Sequence, residues 1–265
     1  MTTYKEIFGK YVKNYSSDPS SDAEGQVWYN TTSGTFKSVL ASAAWSSGSP
    51  LITAGHGIGV GSCGTQTAGL AVGGTNRLTN TEEYNGSGWA TGGSLGTGRY
   101  APGVFGTQTA TAAFGGNTPS PAITGVTEEY DGTSWGPGGT MGTARYALAG
   151  AGTQTAGLAF GGQTTVNVNN TEEYDGSAWT AGGNLSTARQ QLAGAGIQTA
   201  GLAFGGASPI TSSTEEYDGS VWAAGGSLNT ARAGLGGSGT QTAALAFTGT
   251  PYTTATEKYD GTSWT

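Results

Sequence analysis

Thirteen of the 17 acidic residues in this 265-residue chain lie in one recurring string. It reads Thr81-Glu82-Glu83-Tyr84-Asn85-Gly86, then TEEYDG from Thr127, Thr171 and Thr214, and TEKYDG from Thr256. Paired carboxylates suit acid–base and glycosidic chemistry, provided both converge on one bond. Adjacent side chains on a strand point to opposite faces. These pairs therefore cannot converge. The expectation is structural: one Glu of each string meets a repeated arginine and the other faces water. Exposed pairs would contribute only about 0–1 kcal/mol each. His56 is the only histidine and Cys63 the only thiol, so a His/Cys ligand cluster cannot be built. A Ser-His-Asp arrangement would have to run through His56, and nothing else points there. The Gly-Gly pairs follow strands with no helix or lysine after them, so no phosphate loop is implied. No catalytic residue, metal ligand or cofactor is assigned, and the chain reads as non-enzymatic.

The acidic string is one part of a longer repeat. A Trp lies five residues beyond each Tyr: Trp89, Trp135, Trp179, Trp222 and Trp264. An Arg lies ten beyond the first four: Arg99, Arg145, Arg189 and Arg232. Nine further on come Gln108, Gln154, Gln198 and Gln241, and eight later the second residue of a Gly pair. Tyr84 to Gly116 is thus a 32-residue frame that recurs without change. All length variation lies between the Gly pair and the next Tyr, which marks an exposed loop.

Each unit reads as four short strands, for example 146–149, 155–160, 171–174 and a fourth from Trp179. Gly161-Gly162 stops the second and Asp175-Gly176 the third, the latter a strong tight-turn pair. Five such units match propeller blades, which hide their sheet edges. The small residues of strand two suit a crowded axis, and Trp and Tyr can fill the space between blades. The fold class expected is all-β: a five-bladed β-propeller over residues 45–265, preceded by a short helix and hairpin in residues 1–44. A segment near residues 38–52, with Trp45, is expected to complete the last blade, whose fourth strand starts at Trp264 near the end of the chain.

The order arginine, small-residue strand, Gly-Gly, Glu-Tyr-Asp and Trp resembles the kelch motif over about residues 53–265. The resemblance implies tight turns at the Gly pairs, Tyr and Trp between blades, and arginines paired with buried or neighbouring acceptors. The first unit departs from it, with Gly57 where an arginine is expected.

In the N-terminal part, Tyr4, Ile7, Phe8, Tyr11, Val12 and Tyr15 recur at helical spacing. Residues 27–29 and 35–37, split by 30–34, read as a hairpin. The string Gly25-Gln26-Val27-Trp28-Tyr29-Asn30-Thr31-Thr32-Ser33-Gly34 looks like a segment near the start of many tailed-phage virion proteins. That resemblance implies an attachment piece, a virion location, and other virion proteins as partners through residues 1–44.

Composition bounds the rest. The net charge of −7 argues against nucleic acid, which selects a basic face. No apolar run is long enough for a membrane span, and the polar, Lys-bearing start does not read as a secretory signal. One cysteine excludes an intrachain disulfide. The expected function is a structural virion protein projecting a propeller as a fibre, spike or decoration. The alternative is a propeller that binds a host glycan or receptor protein through its variable loops, with Asn80, Asn117, Thr118, Asn167, Asn169, Ser208 and Tyr252 as candidate contacts. A bacterial surface or scaffold protein is a third reading, and self-association is left open.

Overall fold

The computed structural model describes residues 13–16, 27–38, 45–59, 63–120 and 122–265. The chain divides into two compact units, Met1–Ser47 and Gly48–Thr265.

In the N-terminal unit, Val27–Asn30 and Thr35–Ser38 form the expected antiparallel hairpin. Its turn is held by the Asn30 side chain, whose Oδ1 accepts the Thr32 and Ser33 amides at 3.0 and 2.9 Å. Gly34 supplies the left-handed residue the turn needs, at φ +65°. Lys13–Tyr15 pairs parallel with Val27–Asn30 as a third strand. The expected helix falls otherwise on residues outside the described ones.

The second unit is a five-bladed β-propeller. Blade 3 shows the plan: antiparallel strands Ala149–Thr153, Ala156–Phe160, Thr171–Tyr174 and Trp179–Ala181 in spatial order. Blades 1, 2 and 4 repeat it, and blade 5 has three strands plus an isolated bridge from Tyr259 to Trp264. The turn after strand three is built on its first residue. Asp175 Oδ1 accepts the Ser177 and Ala178 amides, both at 2.8 Å, and Gly176 sits at φ +94°. Asn85 makes the same turn in blade 1.

Two expectations about the strands need correction. Strand one starts later than the sequence suggests, at Ala149 rather than 146. Ala147 adopts φ +53° and Tyr146 bridges to Gln163, so the stretch after the arginine is a turn. The axis is lined by strand one, not strand two. First strands of successive blades pack side by side. A Cβ on Gly194 would lie 2.7 Å from the Gly150 carbonyl oxygen, so only glycine permits this approach.

The same side chains join each blade to the one before. Trp179 packs its ring on Phe114 and Phe105 of blade 2, at centroid distances of 5.1 and 6.0 Å. Its Nε1 donates to Thr127 Oγ1 at 2.9 Å. Tyr174 donates its hydroxyl to Glu129 at 2.7 Å. Gln154 Nε2 donates to the carbonyls of Thr111 and Tyr130, at 3.2 and 2.9 Å. Blade 2 holds blade 1 in this way through Trp135, Tyr130 and Gln108. Blade 4 holds blade 3 through Trp222, Tyr217 and Gln198, and blade 5 holds blade 4 through Trp264, Tyr259 and Gln241. A buried apolar cluster fills each of these four interfaces.

The second Glu of the string therefore does not face water, as expected, but accepts a tyrosine hydroxyl from the next blade. The first Glu does meet the arginine. Arg145 is fully buried and reaches Glu172 at 2.6 Å, and Glu172 also accepts the Gly142 and Thr143 amides at 2.6 and 3.3 Å. Arg99–Glu128, Arg189–Glu215 and Arg232–Glu257 repeat the pair. Burial pulls the guanidinium pKa of Arg99, Arg145 and Arg189 down, and the carboxylate opposes that. Such a pair is defined less by net stability than by the penalty for removing one partner.

Blade 1 departs from the plan. Glu82 accepts the Ile52 and Thr53 amides, both at 2.8 Å, as Glu128 accepts Gly96 and Thr97. By this register Gly55 stands where Arg99 does. Gly57 matches Ala101, not the arginine, because both take a left-handed φ, +63° and +49°. Trp89 Nε1 donates to Ser49 O at 3.1 Å, as Trp135 does to Gly93 O. Seen from blade 1, residues 49–53 do what the end of a preceding blade does. The residues just before 45 that were expected to join in closure lie outside the described ones, and Trp45 belongs to the N-terminal unit.

Candidate functional site

Strand connections two-to-three and four-to-one meet on one end of the propeller. In blades 2 to 5 the residue after the arginine bridges to the residue after the Gly pair: Tyr100 to Asn117, Tyr146 to Gln163, Gln190 to Ala207 and Ala233 to Thr250. The variable loops thus begin beside the four-to-one turns. Among these turns a cavity of about 690 Å³ opens on the axis.

The cavity wall is backbone-rich because the first strands there are Ala193-Gly194 and Gly236-Gly237. Its collar is one residue from each blade: Gly57, Ala101, Ala147, Gln191 and Gly234. All five have left-handed φ, between +49° and +63°. That conformation turns each amide toward the previous collar residue. Ala101 N–H donates to Gly57 O at 2.7 Å, Ala147 to Ala101 at 2.9 Å, Gln191 to Ala147 at 2.8 Å, and Gly234 to Gln191 at 2.8 Å. Gly57 N–H and Gly234 C=O are the two ends of this run.

The lining also includes Tyr100, Tyr146, Gln163 and Gln190, and Ile58, Leu235 and Phe247 as its larger apolar members. Tyr146 donates its hydroxyl to Gln163 Oε1 at 2.7 Å, which leaves the Gln163 amide NH₂ turned outward from that bond. Among the described residues no charged side chain lines the cavity. His56 is held nearby, with Nδ1 3.2 Å from Thr75 Oγ1 and its ring edge-on to Tyr100.

The candidate loop residues do not form one site. Asn80 donates to Thr53 Oγ1 at 2.8 Å, Asn169 to Leu185 O at 2.9 Å and Asn167 to Ala207 O at 3.3 Å. Asn117 accepts from Arg77 Nε at 2.7 Å. These amides brace the loops. Thr118 is buried. Ser208 and Tyr252 are exposed, Tyr252 by 99%. Val166 and Ile210 also project from loops of this end, so three successive blades each carry one exposed apolar residue here. The structural candidates sit in the framework: Trp135, Trp179, Trp222 and Trp264 between blades, Trp89 against Tyr84 of its own blade and Ser49, and the four arginines inside the blades.

Sequence reasoning missed the collar and the amides above it. The signal lay one and two residues beyond the arginine, as Tyr100-Ala101, Tyr146-Ala147 and Gln190-Gln191. It was hidden because those residues were assigned to a strand.

Chemically the cavity offers hydrogen bonds from two phenols and three primary amides, together with apolar contact. Cys63 lies elsewhere, its thiol donating to Leu70 O at 3.2 Å and pushed up to about 12 by burial, which keeps it protonated at neutral pH. Among the described residues no group of three His, Cys, Asp or Glu is placed to hold a metal ion. No family model matches the chain, and no curated protein is similar to it in sequence.

Proposed function

We propose that this protein is a non-enzymatic structural component of a bacteriophage particle, in which the N-terminal unit attaches and the propeller is displayed as a fibre, spike or decoration. The observation that carries this reading is the division of labour between the two units. Residues 27–34 of the string that resembles phage virion segments belong to a three-stranded sheet of the N-terminal unit, which does not carry the repeat. The repeated charged groups of the propeller are engaged in holding it together, as the four Arg–Glu pairs show. A rigid display body needs such an arrangement; an enzyme of this size would be expected to keep some of those groups at a cleft.

Copurification tests the reading. The full chain should band with intact phage particles through a density gradient at a fixed copy number. A version lacking residues 1–44 should fold, judged by its thermal melt, and stay in the soluble fraction. Full-length protein absent from particles, or the shortened chain still bound to them, would count against the proposal.

A further inference from the structure

Several polar side chains that the propeller's framework does not engage line the axial cavity. The amides of Gln190 and Gln191 and the hydroxyl of Tyr100 stand at the axial cavity. Beside them are Gln163, whose Oε1 accepts the Tyr146 hydroxyl, and the two ends of the collar run, Gly57 N–H and Gly234 C=O. Donors and acceptors are thus mixed around one opening. Elsewhere on the molecule, repeated amides such as Gln154 are fixed on carbonyls.

We infer that this cavity is a binding site for a neutral saccharide unit. The volume, about 690 Å³, lies within the roughly 300–1,000 Å³ of small-ligand sites. A phosphate or carboxylate ligand selects arginine or lysine, and among the described residues the cavity lining has neither. A hexopyranose presents vicinal hydroxyls, each both donor and acceptor, and a face of C–H bonds. Primary amides and a phenol can serve both hydroxyl roles, while Ile58, Leu235 and Phe247 give the C–H face an apolar wall. A peptide adding as a strand would need a free sheet edge; the cavity is instead ringed by turns from all five blades.

The side chains are also replaceable without harm to the fold. Ala233 occupies in blade 5 the position of Gln190, and Ala101 and Ala147 occupy that of Gln191 at the same left-handed φ. Gln190→Ala and Gln191→Ala each install what a sister blade already carries. The glutamines are therefore dispensable to architecture.

The test is saturation-transfer NMR on the full chain. The probes are neutral oligosaccharides of glucose, galactose, mannose and N-acetylglucosamine, beside sialylated and uronate-containing ones. At least one neutral saccharide should receive saturation. Gln190→Ala or Gln191→Ala should raise its Kd about fivefold each, and both together more than about tenfold. Tyr252→Ala and Val166→Ala, on the loop rim, should leave it unchanged. No transfer to any neutral saccharide overturns the inference. So does binding that survives the double glutamine variant while falling with the rim variants, or a preference for the charged sugars. The result is independent of copurification, so this site and particle attachment fail separately.

Discussion

Four blade-to-blade joints of this propeller are near copies of one another, and the fifth, between blade 5 and blade 1, is not. At the four, Trp, Tyr and Gln of one blade clasp Thr, Glu and two carbonyls of the blade before. At the fifth, Lys258 stands where the tyrosine-accepting Glu would be, and Gln66, the counterpart of Gln154, is exposed. Among the described residues no buried apolar cluster joins blades 5 and 1. The glycine pattern tells the same story. A Cβ on Gly115, Gly161 or Gly205 would meet the carbonyl oxygen of the next blade's arginine at 2.5 to 2.7 Å. Blade 1 has Gly55 in place of that arginine, and the matching position in blade 5 is Thr248, at φ +58°. At the fifth joint a side chain thus stands where the other blades admit only glycine. The repeat is thus a record of contacts, and its lapses locate the one joint built differently.

The largest effect should come from the buried pairs. Arg145→Ala leaves Glu172 buried beside two amides, and should cost about 3–5 kcal/mol in urea unfolding. A loss under 1 kcal/mol would remove the pair from the framework. Next, Trp179→Ala should cost about 3–5 kcal/mol, the range for a large aromatic. Trp89→Ala should cost at least about 1 kcal/mol less, because its ring contact is with Tyr84 of its own blade. Equal losses would mean the fifth joint is as tight as the others. Gln154→Ala strands two carbonyls and should cost about 1–3 kcal/mol, whereas Gln66→Ala should fall within about 0.5 kcal/mol of zero.

Thr248→Gly should stabilise by about 1 kcal/mol, since a β-branched residue is held in the left-handed region there. The reverse change, Gly161→Thr, should cost more than that gain. Both are read from unfolding midpoints.

The smallest effect is on pH dependence. Burial, and then the Glu that accepts its hydroxyl, push the phenols of Tyr174, Tyr217 and Tyr259 up to about 12. The fold favours the neutral phenol, whose unfolded value is about 10. This contribution is complete below pH 10 and is lost as pH rises through that value toward 12. Thermal melts should therefore fall over that alkaline range, and less steeply in Tyr174→Phe. A flat profile would show that these hydroxyls are solvated.

Much of this was legible in the chain itself. Spacing alone located the blades, the turns at Asp175-Gly176 and the loops of variable length, because each depends on local geometry that particular residues satisfy. The packing of Trp179 between blades followed from size and recurrence. The Arg–Glu pairing followed from an arginine and a glutamate that recur in fixed register in four blades.

Other features depended on which blade lies beside which. Glu129 looked like a surface residue because strand alternation says only that it points away from Glu128, not that Tyr174 of the next blade waits there. The glycines of strand one have no local reason in the sequence; the close approach of Gly194 to the Gly150 carbonyl supplies it. The collar arose from left-handed turns at Ala101, Ala147 and Gln191, residues with no local reason to leave a strand. Sequence by itself determined the unit, its strand order and its count, since those rest on near-neighbour chemistry. Only the tertiary structure decided the axis, the unlike fifth joint and the cavity, because each is made by residues about 40 or more positions apart meeting across blades.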